Sequence, residues 1–162
     1  MNKGILALTI VAVLILAVVA AFAFYYPFEK IDTPAEELEY REVGKGEYGA
    51  IEEKKGVVVR SSEEWADLWA DLFPTQQIAS AINFDENMLI AVFSGEKSTG
   101  GYSVEIKRVD EFADKIQVSV IENMPGEGCI VTQALTSPYH IVEIDKSSKP
   151  VEFSFSNNTI NC

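Results

Sequence analysis

From Gly4 to Tyr26 the chain carries no charged residue, and the run GILALTIVAVLILAVVAAFAFYY is built mainly of Leu, Ile, Val and Ala. About 20 such residues span the hydrocarbon core of a bilayer. This segment therefore divides the chain before any other pattern is read. It predicts an N-terminal transmembrane helix with residues 4–26 in the membrane, inside an anchor of residues 1–27. Lys3 precedes the run and Glu29 is the first charge after it. That bias orients the N-terminus to the cytoplasm and exports the rest. Tyr25 and Tyr26 fit an interfacial aromatic belt. A cleaved signal peptide is the alternative, because Ala21-Phe22-Ala23 has the small-x-small pattern of a cleavage site. The run exceeds the roughly 7–15 residues of a signal core, which favours a retained, single-pass anchor at the cell membrane. Cleavage would give a secreted domain instead. Either way the C-terminal part is expected outside the cytoplasm.

The chain has 162 residues, enough for one domain beyond the anchor. Setting Lys3 aside leaves 12 of the 13 basic residues against 25 acidic ones, a net charge of −13 on the exported part. A surface of that sign repels phosphate backbones and anionic head groups, so nucleic acid is excluded as a partner. The acidity serves solubility, or it steers a basic partner. Cys129 and Cys162 are the only cysteines, and thiols outside the cytoplasm are usually oxidised. They are expected to form one disulfide, the competing reading being that the terminal Cys162 sits on a frayed end.

Residues 28–39 contain Pro34 and the acidic run Glu36, Glu37 and Glu39, which reads as a stalk. The folded domain is expected over residues 40–156, with 157–162 as a polar tail. Tyr40–Val43 and Gly56–Arg60 read as a hairpin or a bent pair of strands around glycine turns. Ser61 with Glu64 three residues on makes a capping box. Trp65, Leu68, Trp69 and Leu72 follow at helical spacing until Pro74. That stripe is predicted to be core, packed on a sheet formed by Met88–Phe93 and Tyr102–Val109. Lys115–Ile121, His140–Ile144 and Val151–Phe155 complete the strands. The expected fold is α+β, mainly β: an antiparallel sheet or small sandwich with one packed helix.

Nothing in these elements assembles an active site. The single histidine, His140, follows Ser137-Pro138-Tyr139 without the strand-to-helix elbow that exposes a nucleophile. One His and two distant Cys cannot supply a tetrahedral zinc set, and no calcium loop of alternating Asp is present. Gly95–Gly100 lacks the Gly-Lys-Thr order of a phosphate loop. The chain is therefore expected to be no enzyme, with no cofactor and no metal. Asn157-Asn158-Thr159 is a sequon that makes Asn157 a candidate glycosylation site.

Three turn-rich segments remain: Ser98-Thr99-Gly100-Gly101-Tyr102, Pro125-Gly126-Glu127-Gly128-Cys129, and Thr132–His140 with its Thr136-Ser137-Pro138-Tyr139 core. In order and spacing they resemble the PrcB C-terminal domain family over roughly Met88 to Phe153. That family takes its name from a small subunit of a cell-surface protease complex. The resemblance implies an exported accessory domain that binds or stabilises a protease. A fainter similarity is to chagasin-type cysteine protease inhibitors, which present three loops from one end of a β-sandwich. The chain departs from them in lacking the Asn-Pro opening of their first loop and the Arg-Pro-Trp of their third.

Glycines at 100, 101, 126 and 128 can serve simply as turn formers with φ > 0. The aromatic and proline residues beside them favour recognition, since loops on a rigid scaffold carry it. The expected binding face is Ser98, Thr99, Gly100, Gly101 and Tyr102, with Pro125, Gly126 and Gly128, then Pro138 and Tyr139. The expected function is a membrane-anchored protein-binding module, an accessory, stabilising or inhibitory partner of a secreted protease. The alternative is a structural surface protein that self-assembles into a filament or sheath through β-edge pairing.

Overall fold

The computed structural model describes residues 36–75 and 81–162. The predicted membrane helix and most of the predicted stalk lie outside the described residues. The described part is mainly β, with two four-stranded sheets and one short helix. The strands are β1 (Glu36–Glu37), β2 (Arg41–Gly46), β3 (Lys54–Val59), β4 (Asn87–Ser94), β5 (Ser103–Glu111), β6 (Ile116–Pro125), β7 (Tyr139–Asp145) and β8 (Val151–Ile160), and α1 spans Ser62–Leu72. The first sheet has the order β1-β5-β6-β8 and the second β2-β7-β4-β3.

β4 explains the arrangement. Its Met88–Phe93 run is apolar at every position and buried at every position. A strand of that kind needs both faces covered. Met88, Ile90 and Val92 meet Val104, Ile106 and Val109 of β5 and Ile116, Val118 and Val120 of β6, forming the core between the sheets. Leu89, Ala91 and Phe93 point the other way, into a second core with Trp65, Leu68 and Leu72 of α1. The second sheet is thus the middle of three layers.

The predicted helix begins as expected at the Ser61 cap, with the Glu64 side chain reaching back one residue beyond the cap to Arg60 instead of closing a reciprocal box. The Ser61 hydroxyl accepts from Glu64 N–H at 3.2 Å, while the Glu64 carboxylate accepts from Arg60 N–H at 2.6 Å. Trp65, Leu68 and Leu72 are buried. Trp69 is half-buried, with its ring 5.2 Å from Trp65 and 4.7 Å from Phe73.

Several expectations change. The helix packs on the β4 strand but not on β5, which lies in the other sheet. Charged β2 and β3 occupy opposite edges of one sheet instead of forming a hairpin, because the apolar strands β4 and β7 take the centre. The sheets are not wholly antiparallel: β6 and β8 run parallel, since the chain crosses to the other sheet as β7 and returns. The end of the predicted stalk is in the fold, where Glu36 and Glu37 pair with Glu111 and Asp110 and Leu38 packs against the inter-sheet core. Likewise the predicted tail is mostly strand, as β8 continues to Ile160.

Candidate protein-interaction site

The strand directions bring three connections to one end of the sandwich. β2 and β4 finish there, β3, β5 and β7 start there, and β6 and the parallel β8 finish there together. The segments gathered are residues 47–53, 95–102 and 126–138, with the C-terminal Asn161 and Cys162 beside them. The three turn-rich segments singled out in the sequence are among them.

Backbone bonds knit these segments. Lys97 and Thr136 exchange N–H to O bonds at 2.8 and 3.0 Å, and Thr136 Oγ1 donates to Thr99 O at 2.9 Å. Gly100 N–H donates to Thr132 O at 2.9 Å, so the first and third segments lie side by side. Gly101 has φ 87°, and a Cβ there would approach Pro125 Cβ at 3.2 Å, which places the first segment against the second. Only glycine adopts that φ at no steric cost. Gly128 also takes positive φ, whereas Gly100 and Gly126 do not. Those two allow close approach instead, to the Thr132 side chain and to Ile160 O. Cys129 and Cys162 form a disulfide with Cα atoms 5.3 Å apart. The separation is ordinary for such a bridge. It fastens the end of β8 to the second segment.

The fourth segment, residues 47–53, carries no sequence signal that assigns it to a site. Ala50 N–H donates to Leu72 O at 3.0 Å, so the last turn of α1 holds it. Gly49 N–H donates to Ser137 O at 3.0 Å, Ser137 N–H to Glu47 O at 2.8 Å, and Ser137 Oγ to Ile51 O. A Cβ on Gly49 would meet Ser137 O at 3.1 Å. Glycine, lacking that atom, lets the two chains approach this closely.

Glu122 of β6 ties the layers together just beneath this end. Its buried carboxylate takes Lys97 Nζ at 2.9 Å from the first segment and Lys54 Nζ from β3. Lys54 also lies 4.8 Å from the centroid of Phe155, and Lys97 lies 5.7 Å from that of Tyr102. Both are within cation–π range. Burial alone would raise the Glu122 pKa, but the hydrogen bonds from the two lysines outweigh it and hold the carboxyl below its ordinary value. Hydrogen bonds and positive charge favour the ionised form.

The predicted binding residues divide by exposure. Ser98, Gly101 and Gly128 are exposed, Thr99, Tyr102, Pro125, Gly126 and Tyr139 are half-buried, and Gly100 and Pro138 are buried. Tyr139 packs edge-on against Phe73 at 5.3 Å with Gly44 and Gly46 against its ring. Burial raises its pKa. Its ring belongs largely to the core under α1. The exposed apolar groups are others. Among the described residues, four of the five large exposed hydrophobic side chains are Tyr48, Ile130, Leu135 and Ile160, all at this end. Tyr48 and Leu135 line a groove of about 240 Å³ with Gly49, Ala50, Thr136 and Ser137, rimmed by Glu52 and Glu96. The sequence carries no periodic signal for them: Tyr48 stands between turn glycines, and Ile130 and Leu135 sit in a connection with no strand to bury them.

His140 faces the core between the sheets. A bulge in β5 between Ile106 and Arg108 frees Ile106 N–H, which donates to His140 Nδ1 at 2.9 Å. The neutral ring therefore carries its proton on Nε2, because the other nitrogen is an acceptor. That Nε2 is 3.2 Å from Glu42 Oε2. Among the described residues, no group of three His, Cys, Asp or Glu is placed to hold a metal.

The strands and loops from β4 to β7 are thus one contiguous unit, with the first and third turn segments laced together and the second against them. Residues 88–145 match the PrcB C-terminal family model. The PrcB C-terminal match runs from the inner strand β4 through β7, so it contains all three turn segments. It spans just over a third of the 162 residues and leaves out α1, the segment 47–53 and β8. No curated protein matches the chain, and no solved structure does.

Proposed function

We propose that this chain is a non-enzymatic protein-binding module, displayed outside the cytoplasm and held at the cell membrane by residues 4–26, that serves a secreted protease as an accessory partner. The partner docks on the loop end, with Tyr48 and Leu135 as apolar anchors. The observation that carries this reading is that, among the described residues, four of the five large exposed apolar side chains stand at this one end. Exposed apolar patches of this kind mark interaction sites. Acidic Glu47, Glu52, Glu53, Glu96 and Glu127 surround them, which suits a partner surface with positive charge. The PrcB C-terminal match supports the class of partner.

The test is capture of the partner from native membranes by the full chain, comparing wild type with a Tyr48→Ala, Leu135→Ala double variant. Hot-spot side chains each contribute about 2 kcal/mol or more, so capture should weaken by roughly 30-fold for each side chain removed while the fold is kept. Wild-type capture by a folded double variant would refute the assignment of this end.

A further inference from the structure

β8 forms the edge of its sheet. It pairs with β6 along ten residues in an unbroken register from Ile116–Val151 to Pro125–Ile160, and among the described residues no strand pairs with its other side. Exposed edges invite strand addition, and proteins usually guard them with charge, proline, bulges or shortness. The other edges here carry such guards. β1 has two residues, both Glu. β2 carries Arg41, Glu42 and Lys45 and is bulged between Glu42 and Gly44, and β3 carries Lys54 and Lys55. β8 carries one charge, Glu152 at its start, and from Phe153 to Ile160 it is free of charge, proline and glycine in a chain where 23% of residues are charged. The strand is also held straight at both ends, by the ion pair of Glu152 with Lys115 at 2.8 Å and by the Cys129–Cys162 bridge.

We infer that β8 is a pairing edge for a second copy of this chain, joining two domains across a two-fold axis through antiparallel β8–β8 contact. The charge pattern selects this occupant. Two surfaces as acidic as these repel wherever charges face each other. In an antiparallel pairing of β8 with itself, the single charge Glu152 meets its own copy only in a register centred on residue 152. A register centred anywhere from Phe153 to Asn157 opposes it with an uncharged residue. Such registers set the Ser154, Ser156 and Asn158 side chains across from one another on the outer face, polar pairs of the kind that stabilise a sheet. The contact is isologous and uses up both free edges, so it closes at a dimer. The guarded edges β2 and β3 offer no site for further growth, so the filament expected as an alternative in the sequence does not follow from this edge. A strand pair of this length buries less than a standard interface, so the dimer is weak and concentration-dependent.

The experiment uses the full chain in detergent micelles with the photo-cross-linker p-benzoylphenylalanine at exposed Ser154. Irradiation should give a covalent dimer in which mass spectrometry finds the probe joined to residues 151–160 of another copy. Sedimentation of a Ser154→Lys, Ser156→Lys variant should show a dimer dissociation constant raised by roughly tenfold or more, since like charges directly opposed oppose pairing. The Tyr48→Ala, Leu135→Ala variant should dimerise as wild type does, which separates this contact from the loop end. No cross-link, a cross-link only to another segment or another protein, or dimerisation untouched by the lysines in a folded variant would each overturn the inference. Should the lysine variant fail to fold, the cross-linked peptides decide alone.

Discussion

Replacing Glu122 by Gln tests whether the loop end is held by charge or merely by backbone bonds. The substitution keeps size and shape but leaves the Lys54 and Lys97 ammonium groups without their counter-ion. Removing one partner of a fully buried ion pair costs about 3–5 kcal/mol. Glu122 is fully enclosed, with a side chain 5% exposed, but Lys54 and Lys97 are 41% and 22% exposed and can regain water. The expected loss is therefore about half of that figure, roughly 1.5–2.5 kcal/mol. Urea unfolding followed by the fluorescence of Trp65 and Trp69 measures it at pH 7.

The same residue makes a prediction in pH whose sign is fixed by the direction of its shift. The Glu122 pKa is lowered from 4.5 in the folded state. Well above 4.5 the carboxyl is ionised in both states and its full contribution is present. Below that value the unfolded chain takes up the proton first, so the folded state loses this contribution progressively. The stability gap between wild type and Glu122→Gln should be constant above about pH 5 and narrow as the pH falls further. Amide exchange at Lys97 and Gly100 should accelerate in the variant, because both lie in the segment that Lys97 fastens. A gap under about 0.5 kcal/mol at pH 7 would mean the ion cluster is neutral in the balance, as replaced buried pairs sometimes are. A gap that does not change with pH would refute the role of ionised Glu122.

The packing yields three further expectations. Trp65 is 3% exposed between α1 and β4. Its replacement by Ala should cost about 3–5 kcal/mol in denaturant unfolding, whereas Trp69→Ala, at a half-buried site, should cost less. The Cys129–Cys162 bridge closes a separation of 33 residues. Reducing or removing it should cost roughly 3–4 kcal/mol in the loop-entropy account. It should also loosen the end of β8, visible as faster amide exchange at Thr159 and Ile160. For His140, burial first and then the charge of Lys45 lower the pKa below 6.5 against the opposing pull of Glu42 and Glu105, with Tyr40 edge-on at 6.5 Å. The unfolded chain therefore binds the proton more readily, and stability should fall as the pH drops below about 6.5. A His140→Gln variant should lack that slope between about pH 6.5 and 5.

The elements are legible in the sequence where burial is one-sided or complete. The Ser61 cap, the Trp65 to Leu72 stripe and the uninterrupted apolar run of β4 each carry their own periodicity. The sheet membership of the strands is not legible. Period-two alternation in β5 and β6 says that one face is buried but not against which layer, and nothing local states that β8 returns parallel to β6. The clustering of the three turn segments is visible through their resemblance to a family. Their chemistry is harder to weigh, because Tyr139 reads as a free anchor from its place beside Pro138. What decides its burial is Phe73 and the glycines of β2, residues more than sixty positions away. Tyr48 and Leu135 escape notice for the reverse reason, since apolar residues in turns give no period.

The two ends of the sandwich are built differently, and the difference bears on binding. At the far end long cationic side chains close on backbone carbonyls: Lys146 Nζ donates to Phe84 O at 2.6 Å, Lys149 Nζ to Phe112 O at 2.7 Å, and Arg60 Nη2 to Lys149 O at 3.0 Å. That end turns its polar groups on itself. At the loop end the bonds that fasten the segments run inward, to Glu122, to Ser137 and to the carbonyl at the end of α1, and apolar side chains are left outside among exposed carboxylates. A loop set that is already bonded to a helix terminus, to a buried carboxylate and to a disulfide has little conformational freedom left to lose. The ordering cost of about 0.5–1.5 kcal/mol for each immobilised side chain is then confined to Tyr48, Leu135 and their neighbours instead of whole segments. This is why loosening Glu122 or the disulfide should weaken partner capture along with stability, even though Glu122 is buried and touches no partner. Capture that survives unchanged when the loops are loosened would mean that recognition resides on the rigid strands instead.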